Sequence, residues 1–438
     1  RRRPPLVMIP ARRIIRPHAT RAERATAPEV RAERGAILVQ VAAMMLGLTA
    51  LSAFIVDYGI LWTARRQAQN AADAAAMAAA ASLAYEAPGD LARAFSNAAT
   101  AVANNRVWGA AVPLAPGDVT FPPCPAGSIG SGTCVRVQVL RNEDNDAALP
   151  TVFGALVGVT EQGVRATATA QVLYGDATDC VKPLAVADRW DEQRNNVGPP
   201  SWDGLDTFER YAPGGALLPG PVHDRYEPPS PFPGPNGTGL SRGPSSWTSG
   251  DYGLRLETYP SPNPLIDLAG GERLVPVQID GAGSGPFLDG LTSCSPRVIR
   301  PGDRLEVELS NVNGATGQGF SELIARDPGA TWDFSLHGGR GGVAGGCMAS
   351  GTCCSAGTCT SISPRIIALP VYNPDLWNQN PPGAATVVVT RIVGFFVERY
   401  SPSFNEVVGR LMIYPVLPRS TMTASPSSSF VASVTLVR

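Results

Sequence analysis

The chain has 438 residues and a net charge of −1, and 17% of it is charged, which leaves room for two to four domains. The neutral balance conceals an asymmetry: residues 1–34 carry ten Arg against Glu23, Glu29 and Glu33, a net +7, which leaves −8 for the remainder. That basic tail has no aromatic to stack on bases and belongs to no recognisable DNA-binding module, so nucleic acid is excluded as a partner.

Taken in order, residues 1–34 read as a disordered cytosolic tail, rich in Arg and Pro and without a sustained apolar period. Arg1 in place of an initiator Met leads us to expect that the sequence starts upstream or is a fragment. Residues 35–57 read as a transmembrane helix. The run from Ala36 to Val56 is 21 residues without a charge, interrupted only by Gln40, Gly47, Thr49 and Ser52. At the helical rise it is about 31 Å long, close to one hydrocarbon thickness. Asp57 ends the run, and Tyr58 and Trp62 stand where interfacial aromatics belong. Arg before the span and an acidic bulk after it predict a cytosolic N-terminus and an extracytoplasmic C-terminal part, against the weaker opposing pull of Arg65 and Arg66.

Residues 58–105 read as a juxtamembrane helical segment. The Ala-rich stretch 63–87 contains neither Pro nor Gly and continues the span into one helix of about 50 residues, until Pro88 and Gly89 stop it. Its Ala surface between Ala71 and Ala84 permits close contact with a helix or sheet. A second short helix is expected over 91–105. Residues 106–178 read as a small α/β region, with alternating strands at 134–140 and 164–173 and a short helix at 149–157 between them. A long helix packed on a small antiparallel sheet is the outline of a pilin-like subunit. Residues 179–438 read as a β-rich extracytoplasmic domain with Pro/Gly loops over 198–264. Strands are expected at 252–259, 272–279, 298–309, 365–371, 385–399, 407–416 and 431–437, with a helix only at 319–325. The fold class is α+β.

All eight Cys follow the span, which fits disulfides in an oxidising compartment. Cys124 and Cys134 bracket a Gly/Ser turn that leads into a strand and are the expected pair; closing that loop contributes roughly 3 kcal/mol in the chain-entropy picture. The adjacent Cys353 and Cys354 are expected to bond to different partners, and the sequence leaves the remaining pairings open. Cys347, Cys353, Cys354 and Cys359 lack the usual paired spacing of a structural zinc site. Glu143 to Asp146 offers oxygen ligands but lacks the Gly and terminal Glu of an EF-hand loop. Gly239-Leu-Ser-Arg-Gly243 matches the nucleophile-elbow pattern in Ser241 without the strand and helix that the elbow needs. Gly338 to Gly342 is glycine-rich but has no following Lys-Ser/Thr, as a phosphate loop requires. No acid–base pair, redox motif, metal site or cofactor fingerprint is expected, and the chain reads as non-enzymatic.

The stretch ERGAILVQVAAMMLGLTALSAFIVDYGILWTARRQAQNAADAAAMAAA, residues 33–80, resembles the TadE/TadG-like proteins of tight-adherence (Flp) pilus assembly. Shorter blocks downstream resemble the same proteins, among them LPTVFGALVGV, CVKPLAVADRW and GQGFSELIARDPGATWD. The resemblance implies a single-span protein of the bacterial inner membrane, working beside inner-membrane pilus-assembly and secretion proteins, with membrane lipid around its span and the cell wall or filament within reach. Some relatives are cut by a prepilin peptidase after a Gly, with Glu at the fifth mature position. Here the corresponding bond is Gly35–Ala36 and the fifth position is Gln40, so an uncut anchor is expected. Others carry a DxSxS metal site; the nearest match, Asp280-Gly-Ala-Gly-Ser284, has Ala282 where a hydroxyl is needed. The rival readings are a membrane-tethered extracytoplasmic hydrolase or ligand-binding protein, and a secreted adhesin released from a signal segment.

Overall fold

A computed structural model describes residues 31–437 apart from 87–90, 130–131, 144–147, 194–201, 213, 230–236, 243–249, 262–263, 265–266, 351–352, 356–357, 361, 380–384 and 417–428. Most of the basic tail, the Pro88-Gly89 stop and most of the acidic 143–146 stretch therefore lie outside the described residues. Helix α1 (Arg31–Ala81) is 51 residues long and runs on as a π-helical turn, Ser82–Glu86. Helix α2 (Leu91–Asn104) buries Ala94, Ala98 and Val102 against the outer part of α1. Strands β1 (Val119–Thr120), β2 (Thr133–Arg141) and β3 (Val164–Gly175) follow and pair antiparallel in that order. Alternation sends Val135, Val137 and Val139 to the buried face, each opposite a small residue of β3: Ala170, Ala168 and Ala166. This Val/Ala floor is what α1 lies on, and small side chains on both surfaces let the two backbones approach closely. The helix expected at 149–157 is not formed as such. Leu149–Pro150 instead pairs with Glu161–Gln162 as a short ladder, and only Gly154–Val157 winds, as a 3₁₀ turn.

Beyond residue 178 the chain closes a barrel. Its strands are β4 (Leu184–Ala187), β5 (Arg255–Pro260), β6 (Arg273–Pro276), β8 (Ile366–Tyr372), β9 (Thr386–Ser401) and β10 (Glu406–Met412), with β7 (Arg304–Glu306) attached outside the ring on β9. The ring order is β8-β4-β6-β5-β10-β9, and β9 pairs back on β8 to close it. The β8–β4 and β5–β6 pairs are parallel and the others antiparallel. Register sorts the two faces. Val186 pairs with Leu274, Ile367 with Phe395, and Phe395 with Leu411, all buried, whereas the opposite parity of β5 and β10 carries the ionic side chains Arg255, Glu257 and Arg410. The fully buried parity is the interior. Gly409 belongs to it, because a Cβ there would collide with the Phe395 ring and the Phe396 carbonyl.

Among the described residues three helices decorate the barrel, where only one is expected from sequence: α3 (Ser284–Thr292), α4 (Asn313–Arg326) and α5 (Pro374–Gln379). The expected 319–325 is the second half of α4. Two Gly in nine residues hide α3, yet Gly290 packs on Pro183, and Leu291 fills the space a Cβ on Gly319 would need. Helix α5 had a readable start: Asn373 accepts the Leu376 N–H at 2.9 Å, and Pro374 follows it.

The chain then returns to where it began. Strand β11 (Tyr414–Pro415) pairs parallel with β12 (Val431–Val437), and β12 runs antiparallel along β3, Val434 opposite Val172. The last strand thus completes the first sheet, whose β11 edge is parallel rather than antiparallel throughout. A single buried cluster runs from the α1 Ala stripe to the barrel interior.

Candidate functional site

Helix α1 has two halves of opposite character. Between Ile37 and Val56 the large apolar side chains are exposed, Leu38 to 72% and Leu46 to 75%. From Ala64 onward, Ala68, Ala71, Ala72, Ala75, Ala76, Ala79 and Ala80 are fully buried, spaced to face both the sheet and α2. In the bare half the hydroxyls bond within the helix: Thr49 Oγ1 donates to the Met45 carbonyl and Ser52 Oγ to the Leu48 carbonyl, each at 2.8 Å. Polar groups that turn back four residues in this way need no water.

Asp57 marks the change. It is in phase with Leu61, Ala64 and Ala68, so it opens the docked face. Its carboxylate accepts three backbone N–H groups of the β2–β3 connection: Val152 at 2.8 Å, Phe153 at 3.0 Å and Gly154 at 2.7 Å. These are the orphan donors at the start of the 3₁₀ turn, and Asp57 caps them from another element. Gly154 fits the curve because a Cβ there would press on the Val159 carbonyl and the Thr151 side chain.

The far end of α1 is clasped. Tyr174 Oη donates to the Leu83 carbonyl at 3.4 Å, and Arg242 Nη1 to the Ala84 carbonyl at 3.4 Å. The Arg242 guanidinium also lies 4.4 Å from the Tyr174 ring centroid. Tyr85 Oη reaches the Ala432 carbonyl on β12 at 3.1 Å, and burial pushes its phenol well above the ordinary range. A cation on the last carbonyls suits the negative end of a helix.

Arg242 comes from the Gly239–Gly243 stretch, where the structure shows fixation. Residues 237–242 contain neither strand nor helix, and 243 lies outside the described residues. The Ser241 N–H donates to Asp251 at 2.8 Å and the Leu240 N–H to Asp188 at 2.7 Å. Asp188 is fully buried beside Arg391 and also accepts Tyr226 Oη at 2.8 Å and Thr390 Oγ1 at 3.0 Å. Burial, with the Asp188 charge added, holds the Tyr226 phenol well above its usual value. This network pins a loop to the barrel.

Two further clusters resolve the same way. Lys182, the sole Lys, donates to the carbonyls of Gly290 (3.3 Å) and Ser293 at the end of α3. Burial, with Arg326 close by, lowers its ammonium to about 8. Asp327, Cys347 and Cys353 converge within 4.8 Å, but Cys347 is bonded to Cys353, and Asp327 accepts from Ser363 Oγ at 2.6 Å. The structure also joins Cys124 to Cys134 and Cys180 to Cys294. Asp280 accepts Ser295 Oγ at 2.8 Å, and Ser284 begins α3. The Gly35–Ala36 bond and Gln40 lie within the continuous helix α1, with Gln40 exposed. Sequence reasoning noted Asp57 as the end of a run and part of the family resemblance, not as a contact; its phase with the Ala stripe was the available signal. Arg242 was hidden inside a motif read for its Ser.

Among the described residues one helix, 37–85, is long and apolar enough to cross a membrane, and none of its apolar window is buried. Residues 35–82, a small part of the chain, match the Flp pilus-assembly TadE/G-like model. The chain carries a TadE/G-like domain. The match covers both halves of α1 and stops at the π turn, narrower than the resemblance read along the sequence. No curated protein and no solved structure matches the chain. The TadE/G-like segment is therefore the helix whose outer half is docked on the Val/Ala floor and held by Asp57 and Arg242.

Proposed function

We propose that this protein is a membrane-anchored, non-enzymatic component of tight-adherence (Flp) pilus assembly. Helix α1 holds it in the bacterial inner membrane by a single pass, with the N-terminus cytosolic, and the sheet and barrel stand outside beside the secretion apparatus. The observation that supports this most is the change of character along one TadE/G-like helix: bulky exposed side chains with self-satisfied hydroxyls, then Asp57, then buried Ala. The docked half on its sheet would serve as a pilin-like module that packs beside inner-membrane assembly proteins, leaving the barrel to reach the filament or cell wall. Gly35–Ala36 stays uncut in this reading, because Gln40 replaces the expected Glu.

The test is deletion with complementation. Loss of surface pili on deletion, restored by the wild-type chain and equally by Ser241→Ala, is the expected result. Intact piliation after deletion removes the assembly role, and failure of Ser241→Ala alone points to a hydrolase. N-terminal sequencing of the membrane-bound product reads the anchor separately: a terminus at Ala36 means peptidase processing.

A further inference from the structure

A groove of about 680 Å³ opens where α1 leaves its bare half and β3 begins. Tyr58, Trp62, Arg65 and Gln69 form its helical wall, at the spacing that stacks side chains along one stripe, and Arg165 stands on the strand opposite. No carboxylate lines it among the described residues, although Asp57 and Asp73 occupy the same stretch of helix. Arg165 donates to the Gln138 side-chain oxygen at 3.1 Å, a neutral partner. Phe54, Tyr58 and Trp62 stack in series at 6.0 and 6.5 Å between centroids, an aromatic stripe leading from the apolar run into the groove.

Height matters here. Trp62 lies about 9 Å and Arg65 about 13 Å beyond Val56 along the helix axis. Helical side chains lean back toward the N-terminus, which brings the Arg65 guanidinium to roughly the Trp62 level. A headgroup layer is about 5–7 Å thick on each side of the hydrocarbon. Tyr58, about 3 Å beyond Val56, lies within that layer and Trp62 just past its outer edge, so the groove opens onto the layer from above with two cations, an indole, a phenol and no acid among its described lining residues. Exposed Val152 is held at the level where the apolar run ends, its backbone N–H bonded to Asp57.

We propose that this groove is a phospholipid-headgroup site, taking the phosphate of an anionic lipid from the leaflet in which the span ends. Arg65 and Arg165 hold the phosphate oxygens, and Trp62 and Tyr58 cover the glycerol region. The inference rests on the anchoring reading and gives a use to Arg65, a positive charge on the side of the span where positive charge is disfavoured. Its test uses the full chain in bilayer nanodiscs of equimolar phosphatidylcholine and phosphatidylglycerol, with the lipid retained after mild detergent extraction quantified. Phosphatidylglycerol should be enriched over the bulk ratio. Arg65→Gln and Arg165→Gln should each lower that enrichment about fivefold, the effect of one interfacial cation. Arg66→Gln, on the same helix but outside the groove, should leave it unchanged. Equal retention of the two lipids, or an Arg66→Gln loss as large as that of Arg65→Gln, overturns the site. So does displacement of the effect by millimolar inorganic phosphate, which assigns the groove to the free ion. Vesicle flotation separates the two ideas: a chain that does not float refutes the anchor itself, and one that floats without lipid preference refutes only the groove.

Discussion

The inner and outer halves of α1 belong to one unbroken helix, yet their side chains obey different rules. Between Ile37 and Val56 the large side chains are Leu, Met, Ile, Val and Phe, and all of them are exposed; from Ala64 to Ala84 nearly every inward residue is Ala and is covered completely. Large apolar side chains bury much area but keep backbones apart, while Ala buries little and lets them meet. The inner half is thus built to satisfy a solvent, and the outer half to satisfy one particular surface. A helix-period reading alone cannot separate these, because both halves are apolar. Side-chain volume separates them.

The comparison can be broken most severely in the half assigned to lipid. Leu46 sits at the middle of the apolar run, and Leu46→Arg should disfavour membrane integration by about 3 kcal/mol. Alkaline extraction of membranes should then release the variant, while thermal unfolding of its sheet and barrel in detergent stays as in the parent chain. A variant that resists extraction like the parent shows that residues 36–56 are not the embedded segment. The opposite exchange tests the docked half. Ala76→Leu places in it the kind of residue the bare half tolerates, and overpacking against α2 and the sheet should cost about 2 kcal/mol. Leu46→Ala, measured beside it, should stay within about 0.5 kcal/mol in unfolding of the folded part. Equal effects of the two exchanges in detergent would remove the distinction between the halves.

These rules also explain what could be read from the sequence. The long apolar run, the continuous helix, α2 and the strand 431–437 follow from run length, Ala content and alternation, all local signals. The barrel was not readable, because its closure depends on β9 meeting β8 on one side and β10 on the other, and nothing in the three sequences encodes that order. Strand β12 was visible as a strand, but its partner lies more than 250 residues earlier on β3. At the site, the Ala stripe was legible as a surface for close contact with a helix or sheet, whereas Asp57 was legible as chemistry and not as a contact. The three N–H donors from Val152, Phe153 and Gly154 come from a stretch whose apolar pattern resembles a helix; the structure spends it as a turn around one carboxylate.

That carboxylate gives the smallest of the expected effects and the sharpest on where the halves divide. Asp57→Ala leaves three backbone donors without their acceptor, but the loop is open enough for water to reach it, so the loss should be the small one of an exposed helix cap and not that of a buried charge. Asp57→Asn keeps one acceptor oxygen and should lose less. Amide hydrogen exchange reads the result residue by residue. In Asp57→Ala, exchange at 152–154 should accelerate while the β2–β3 ladder keeps its protection, since its cross-strand bonds do not involve Asp57. If protection instead falls along all of β2 and β3, Asp57 is a keystone of the whole sheet. If it falls nowhere, the Ala stripe alone fixes where the helix stops being bare, and the carboxylate merely accompanies a boundary that packing has already drawn.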